Sequence, residues 1–140
     1  MSKILYITPH LSTGGLPQYL YKKIEVVSNV NNDISLIEWE DQAPIYRVQK
    51  DLIKEIINKP NFVSWEQGTS VEKKIKHIKN FIRDSNFDII HIEEFPEFFL
   101  PTELIDYIYE TTERSYKIIE TSHNSGFPVE DKQVFPDAFV

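Results

Sequence analysis

The sequence contains no cysteine, which excludes disulfide bonds and thiolate chemistry. Basic residues are also scarce: 15 Lys and Arg stand against 22 Asp and Glu, giving a formal net charge of −7. A protein held to nucleic acid through phosphate contacts needs a basic face, so we expect no nucleic-acid partner. No apolar run approaches the roughly 20 residues of a membrane span. The first apolar run, which ends at Thr8, is shorter than the roughly 7–15 apolar residues in the core of a signal peptide. We therefore expect a cytoplasmic protein.

Motifs of metal sites and hydrolases are absent as well. The histidines and carboxylates do not follow a His-Glu-x-x-His pattern or any similar metal-ligand spacing. No Gly-x-Ser-x-Gly motif marks the nucleophile of a serine hydrolase. The sequence therefore predicts no metal site and favours neither a metallohydrolase nor a serine hydrolase.

What the sequence does contain is a regular alternation of strand and helix patterns. Hydrophobic residues make up 41% of the 140 positions, enough for the core of one ordinary domain. Apolar runs and helical stripes predict strands over 3–8, 34–39, 61–65, 87–92 and 116–121, and helices over 17–29, 47–58, 70–84 and 101–113. This order predicts an α/β fold with a Rossmann-like, doubly wound and mostly parallel sheet. The closing segment PDAFV is typical of a further strand, so we expect residues 1–140 to be the N-terminal domain of a longer chain.

Three polar loops leave the carboxyl ends of predicted strands, at 9–16, 93–100 and 122–130. Ligands of doubly wound proteins bind at this edge of the sheet. Gly14 and Gly15 lie in the first loop directly before a helix, where backbone N–H groups can approach an anion such as phosphate. The alternative is a flexible turn, because the pair lacks the full Gly-x-Gly-x-x-Gly pattern.

Histidines and glutamates stand at the same predicted edge. His123 follows the predicted strand over 116–121, and its ring can donate or accept a hydrogen bond near neutral pH. The alternative is that His123 is an ordinary histidine of a surface loop. His10 is a weaker candidate in the first loop, and His91 lies within a strand, as a hydrogen-bonded core histidine would. Glu93 and Glu94 could bind hydroxyl groups of a sugar-like substrate. Neighbouring residues of a strand point to opposite faces, so these two do not form an acid–base pair by spacing.

Two further segments have more than one interpretation. The aromatic loop EEFPEFFLP, at 93–101, indicates either local packing or contact with an acceptor or a neighbouring domain.

Thr69 and Glu72 have the spacing of a capping box at the start of the helix over 70–84. That helix carries the basic residues Lys73, Lys74, Lys76, Lys79 and Arg83. Such a face is usually solvated, but it could also hold the protein at the inner surface of an anionic membrane.

Taken together, these segments resemble the GT-B glycosyltransferases, in particular the large retaining, family 4-like group. KILYITPHLSTGGLPQYL is similar to the opening strand, glycine loop and helix of that group. FDIIHIEEF is similar to its fourth-strand segment, and YKIIETSHN to the segment in which a threonine and a histidine follow the next strand. PDAFV resembles the start of a strand that usually ends in a serine. The resemblance extends over nearly the whole chain.

The resemblance implies two Rossmann-like domains that face each other across a cleft, of which this chain is the acceptor side. It implies transfer of a sugar from a nucleotide-sugar to a glycan, lipid or other acceptor, with retention and with no cofactor or essential metal. Gly14 and Gly15 would hold the donor diphosphate, and His123 would be catalytic, near the reacting centre. The acceptor-side residues implied at the same edge are His10, Glu93, Glu94 and Asn124. Many members have a second histidine where this chain has Glu93.

The paired glutamates and basic residues that bind the donor belong to the family's C-terminal domain, which residues 1–140 do not include. We therefore expect these residues alone to be inactive or nearly so. Three alternatives stay open: a GT-B-fold sugar-nucleotide epimerase, a stand-alone α/β binding or regulatory domain, and an inactive partner in an assembly. A receiver domain is disfavoured because the first strand ends in Thr8-Pro9-His10 rather than in clustered acids.

Overall fold

A computed structural model of the chain describes residues 1–12, 14–30, 33–41, 48–110, 112–124 and 126–140. The strands are β1 (Lys3–Thr8), β2 (Asp33–Glu38), β3 (Phe62–Val63), β4 (Ile89–Ile92), β5 (Lys117–Glu120) and β6 (Ala138–Phe139). The helices are α1 (Gly15–Asn29), α2 (Val48–Ile56), α3 (Val71–Ser85) and α4 (Thr102–Tyr109). Short 3-10 helices cover Lys59–Asn61, Pro96–Phe98 and Val129–Asp131. None of the described helices is long and apolar enough to cross a membrane.

The described strands form one sheet in the order β3-β2-β1-β4-β5-β6, and every pairing is parallel. This arrangement confirms the predicted Rossmann-like, doubly wound α/β fold. Strand order reverses between β1 and β4, where the chain crosses from one half of the sheet to the other. A crevice at the carboxyl ends of these two strands is the usual ligand position in such a sheet.

The sheet is covered on both faces, which explains why its strands are continuous apolar runs. Alternate residues of β1 point to opposite faces: Leu5 and Ile7 belong to one core cluster, and Ile4 and Tyr6 to the other. Helices α1 and α2 pack on the Ile4 side and helices α3 and α4 on the Leu5 side. Most of the predicted helical stripes therefore face the sheet, but Val48 at the start of α2 and Val71 at the start of α3 are exposed, contrary to prediction.

The start and the end of α3 depend on two polar residues. The Ser70 hydroxyl accepts a hydrogen bond from the Lys73 N–H at 3.3 Å, so Ser70 is the N-cap and the predicted capping box is wrong by one residue. The Thr69 hydroxyl instead donates to the Glu66 carbonyl at 2.6 Å. Asn86 ends the helix in the left-handed conformation, with φ 52°, which asparagine tolerates better than most residues.

A buried ion pair fixes the segment that leads from β1 toward α1. Glu38, at the end of β2, is 1% exposed, and its Oε1 accepts from the Lys50 ammonium at 2.7 Å. The Ser64 hydroxyl donates to the same oxygen at 2.8 Å. Oε2 of Glu38 accepts from the Leu11 N–H at 2.9 Å. A buried carboxylate needs such partners, and here one of them is the backbone just before the glycine loop.

Candidate functional site

A cluster of polar side chains lies at the carboxyl ends of β4 and β5, against α1. We call it the Glu93 cluster, and it consists of Lys23, His91, Glu93, Thr121 and His123. Backbone hydrogen bonds continue the strand pairing past the ends of the strands, and they fix the backbone of two residues of the Glu93 cluster. The Glu93 N–H donates to the Ile7 carbonyl at 2.8 Å, and the Thr121 N–H donates to the Ile92 carbonyl at 3.0 Å. The cluster therefore rests on the central strands of the sheet.

Glu93 is the centre of the cluster and is fully buried. Its Oε1 accepts from the Lys23 ammonium at 2.6 Å, and its Oε2 lies 3.1 Å from Nε2 of His123. Burying a carboxylate away from water costs free energy unless the carboxylate is paired, and here Lys23 supplies the opposite charge. Both oxygens of Glu93 therefore face side chains of the protein itself.

His91 is a neutral core histidine. Its Nε2 lies 3.2 Å from the Lys23 ammonium and 2.7 Å from the Thr121 hydroxyl. Burial lowers the pKa of His91 to about 4, although the nearby carboxylate of Glu93 opposes that change. The interpretation of His91 as a hydrogen-bonded core residue agrees with this environment.

His123 is held at two points, and its side chain is partly exposed. Its Nε2 donates to Glu93, and its backbone N–H donates to Oε2 of Glu94 at 3.0 Å. The ring of Tyr19 packs against it edge-on, with the centroids 5.1 Å apart. The side chain is 22% exposed, and Nδ1 has no hydrogen-bond partner among the residues that the structure describes. Glu93 therefore fixes the ring of His123 through Nε2, while the side chain stays partly exposed.

Glu94 organises the loop that carries His123. Besides the His123 N–H, its carboxylate accepts from the Phe95 N–H and from the Ser122 hydroxyl, each at 3.0 Å. Asn124, the next polar residue of that loop, is exposed, and its side-chain oxygen accepts from the Gly126 N–H at 2.9 Å. Both glutamates therefore contact His123, one through its ring and the other through its backbone.

The glycine loop opens at the same edge of the sheet. Gly14 is the N-cap of α1 with φ 110°, a conformation that favours glycine, and no side chain caps this helix. Gly15 is exposed, and an added Cβ would meet no atom within 4 Å. Tyr19, which contacts His123, lies four residues beyond Gly15, or about 6 Å along the helix axis. The N-terminus of α1 is thus about one helical turn from the Tyr19–His123 contact.

The hydrogen-bond partners of His10 are not residues of the Glu93 cluster. Its Nδ1 lies 3.0 Å from the Ser12 hydroxyl and 3.3 Å from the Ser12 backbone nitrogen. In the part of the chain that the structure describes, no hydrogen bond joins it to Glu93 or His123. The structure therefore brings His123, Glu93 and Glu94 together and leaves His10 in a local turn.

Lys23 and Thr121 are members of the cluster that the sequence reasoning did not single out. Lys23 directly precedes Ile24 of the buried stripe of α1, so helical periodicity alone puts it at the edge of the buried face. Thr121 is the residue directly after β5, at a strand end where ligand-binding groups collect. Neither signal could show that Glu93, seventy positions from Lys23, is the partner.

The structure also bears on the metal-ligand spacing and on the basic residues of α3. No group of three or more histidine, aspartate or glutamate side chains in the described ranges could hold a metal ion. On α3, the Lys79 ammonium pairs with Glu103 at 2.9 Å, and Arg83 pairs with Asp84 at 3.0 Å. The Lys74 ammonium donates to the Trp39 carbonyl at 2.9 Å. Membrane contact through this helix stays a prediction.

The sequence matches no protein-family model and no curated protein. Among solved structures, the chain is similar to the C-terminal domain of a hydrogenase from Pyrococcus furiosus, with a TM-score of 0.54 and 12% sequence identity. The match covers 85% of this chain and 90% of that domain. At this identity the similarity concerns the fold alone, and it agrees with the doubly wound α/β architecture described above.

Proposed function

We propose that this chain is the N-terminal, acceptor-side domain of a glycosyltransferase that moves a sugar from a nucleotide-sugar to an acceptor with retention. The observation that carries the proposal is the position of His123. It is held by Glu93 and Glu94, its side chain is partly exposed, and it lies about one helical turn from the N-terminus of α1. The resemblance of the strand, glycine-loop and histidine segments to the retaining GT-B group supports the same assignment.

The first step of the proposed mechanism is to hold the donor diphosphate. The backbone N–H groups at the start of α1 point out of the helix, and the helix dipole makes that end electropositive. No acidic residue lies in the first turn to compete with an anion, and Gly15 leaves open space beside the backbone. A diphosphate bound there would be a better leaving group, because its developing charge is stabilised by groups already in position.

The second step is to orient the sugar. With its Nε2–H engaged by Glu93, neutral His123 has an Nδ1 lone pair that can accept a hydrogen bond from a sugar hydroxyl. In this proposal Glu93 and Glu94 are positioning residues that fix the His123 ring and backbone. The Lys23 ammonium lies 2.6 Å from Oε1 of Glu93 and supplies the opposite charge to that carboxylate. The bond between the sugar C1 and the diphosphate oxygen breaks, a bond to the acceptor oxygen forms, and the acceptor proton passes to the departing phosphate.

The proposal assigns the remaining donor contacts to a C-terminal domain, as the resemblance implies. Residues 1–140 alone are therefore expected to bind a nucleoside diphosphate weakly and to transfer no sugar at ordinary enzyme rates. No metal is required in this scheme, because the N-terminus of α1 and the second domain carry the charge stabilisation.

A titration of the labelled chain with UDP, GDP and ADP tests the diphosphate step. At least one of them should shift the amide resonances of Gly14, Gly15 and Leu16. Gly15→Asp should abolish these shifts, since it adds a negative charge where the diphosphate would lie. The same substitution should not unfold α1, because an acidic residue in the first turn favours a helix by about 0.3–1 kcal/mol. Gly15→Asn is the matched uncharged control and should keep the binding.

Two results would count against the proposal. One is that none of the three diphosphates shifts an amide near the start of α1. The other is that Gly15→Asp binds as well as Gly15→Asn, which would mean that the anion lies elsewhere.

A further inference from the structure

Tyr19 is an exposed aromatic residue that lies on α1 beside the Glu93 cluster. Its side chain is 42% exposed. A single exposed apolar side chain is common on a protein surface and needs no explanation by itself. Tyr19 differs from such a residue in two respects: charged and aromatic neighbours hold its ring, and the ring lies beside both parts of the proposed donor site.

Two contacts hold the ring of Tyr19. The ammonium of Lys23, one turn further along α1, lies 5.2 Å from the centroid of the ring, within the range of cation–π attraction. The imidazole of His123 meets the ring edge-on, with the centroids 5.1 Å apart. Lys23 is itself held by its ion pair with Glu93. The ring of Tyr19 is therefore ordered before a ligand arrives, which lowers the entropic cost of binding.

Tyr19 also lies between the two positions that the proposed function assigns to the donor. Gly15 is four residues before it and therefore lies on the same face of α1, one turn toward the N-terminus. Helical side chains lean toward the N-terminus, and an added Cβ at Gly15 would meet no atom within 4 Å. The surface from the start of α1 to Tyr19 is therefore open. A sugar linked to a diphosphate at the start of α1 would lie over Tyr19 where it meets His123.

The Tyr19–His123 pair offers the two kinds of contact that a sugar makes. A sugar ring carries hydroxyl groups at its rim and C–H groups on its faces. An aromatic ring packs against the C–H groups, and an imidazole forms a hydrogen bond with a hydroxyl group. Binding sites for small molecules usually combine aromatic walls with a few polar groups in this way. The two rings of the pair meet at an angle of 66°, so they present different edges and faces to one ligand.

We propose that Tyr19 is a sugar-binding residue of the donor site and that its exposed ring packs against a C–H face of the transferred sugar. The inference rests on the proposed function, which supplies the donor, and it adds the residue that contacts the apolar face of the sugar. In this arrangement the diphosphate lies at the start of α1, one turn away from Tyr19. Tyr19 should therefore affect the affinity for the sugar part and not the affinity for the diphosphate.

The experiment is an NMR titration of the full 140-residue chain with UDP-glucose, GDP-mannose and ADP-glucose, each compared with its own nucleoside diphosphate. A bound nucleotide-sugar should give intermolecular nuclear Overhauser effects between its sugar protons and the ring protons of Tyr19. The ring of Tyr21, on the same helix, is an internal control. It packs against the core cluster on the Ile4 side of the sheet, and it should give none of these effects.

Two substitutions separate the ring of Tyr19 from its bulk. Tyr19→Phe keeps the ring and should bind the nucleotide-sugar within twofold of the wild type. Tyr19→Leu keeps apolar bulk beside Lys23 but has no flat ring, and it should weaken nucleotide-sugar binding at least fivefold. Neither substitution should change the affinity for the nucleoside diphosphate more than twofold. A purely structural role as a cover for Lys23 would not separate the two ligands in this way.

Equal nucleotide-sugar affinities of Tyr19→Phe and Tyr19→Leu would overturn the inference. So would a nucleotide-sugar complex without Overhauser effects to the ring of Tyr19. If the nucleotide-sugar still shifts the Gly15 amide and Nδ1 of His123 in these cases, the proposed function stands and only the role of Tyr19 fails. If no nucleoside diphosphate shifts the start of α1, the proposed function fails, and the inference that rests on it fails as well.

Discussion

The ion pair between Lys23 and Glu93 should dominate the stability of the candidate site. The Lys23 ammonium lies 2.6 Å from a carboxylate that is 0% exposed, while the lysine side chain itself is 16% exposed. Lys23→Met would leave the charge of Glu93 buried without its cation. Removing one partner of a buried pair costs about 3–5 kcal/mol, and we expect about 3 kcal/mol here because Lys23 is not fully buried and His123 still donates to Glu93.

The reverse substitution should cost less. Glu93→Gln removes the buried charge and leaves Lys23 near the surface, where it can reach water, so we expect a loss of about 1 kcal/mol. The double variant should cost about as much as Glu93→Gln alone, because the buried carboxylate that Lys23 neutralises is gone. The two single effects should therefore be strongly non-additive, with a coupling of about 2 kcal/mol or more.

Urea denaturation of the three variants measures these free energies of unfolding. Lys22→Met is a matched control on the same helix, since Lys22 is 73% exposed and its ion-pair partner Glu25, at 3.4 Å, is exposed as well. It should change stability by less than about 0.5 kcal/mol. Equal and additive effects of Lys23→Met and Glu93→Gln would refute the reasoning, because they would show that the two groups do not depend on each other.

Two further predictions concern other buried polar groups. Lys50→Met should destabilise the chain by about 3–5 kcal/mol in urea denaturation, because Glu38 would lose its only ammonium partner within 3 Å among the described residues; a loss below about 1 kcal/mol would contradict this. Burial lowers the pKa of His91 to about 4, below the ordinary 6.5. Between pH 6.5 and pH 4 the unfolded chain therefore binds more protons than the folded chain. The free energy of unfolding should thus fall as the pH drops through this range. Between pH 7 and pH 5 this group should cost about 2 kcal/mol, and His91→Gln should lose less stability than the wild type over that range, whereas equal losses would exclude His91 as the cause.

Much of the fold follows from short-range patterns in the sequence. The apolar run from Ile4 to Ile7 lies between Lys3 and Thr8, and the observed β1 has the predicted bounds, Lys3–Thr8. The stripe through Leu20 and Ile24 predicts the buried face of α1. Boundaries are less well predicted: α4 ends at Tyr109, four residues before the predicted end, and Glu110 with ψ 121° lies outside the helical region.

The site could be predicted only in part, because its contacts are long-range. A strand-end pattern marks Glu93 and His123, but it does not show that β4 lies beside both β1 and β5. That strand order brings Lys23 to Glu93 and makes Glu93 a buried partner of His123. Lys50 and Lys132 are similar cases, since a charged residue is expected at the surface unless its partner is known. The contact between Phe95 and Phe139 likewise depends on β6, which pairs with β5 at the edge of the sheet.

The ¹⁵N resonances of the His123 imidazole test the central claim most directly. They would be recorded while a nucleotide-sugar is added, and again with the same nucleoside diphosphate lacking the sugar. The account predicts that both ligands shift the Gly15 amide, and that only the nucleotide-sugar shifts Nδ1 of His123. A nucleotide-sugar that shifts the Gly15 amide but leaves Nδ1 of His123 unchanged would contradict it, because His123 would then not meet the sugar.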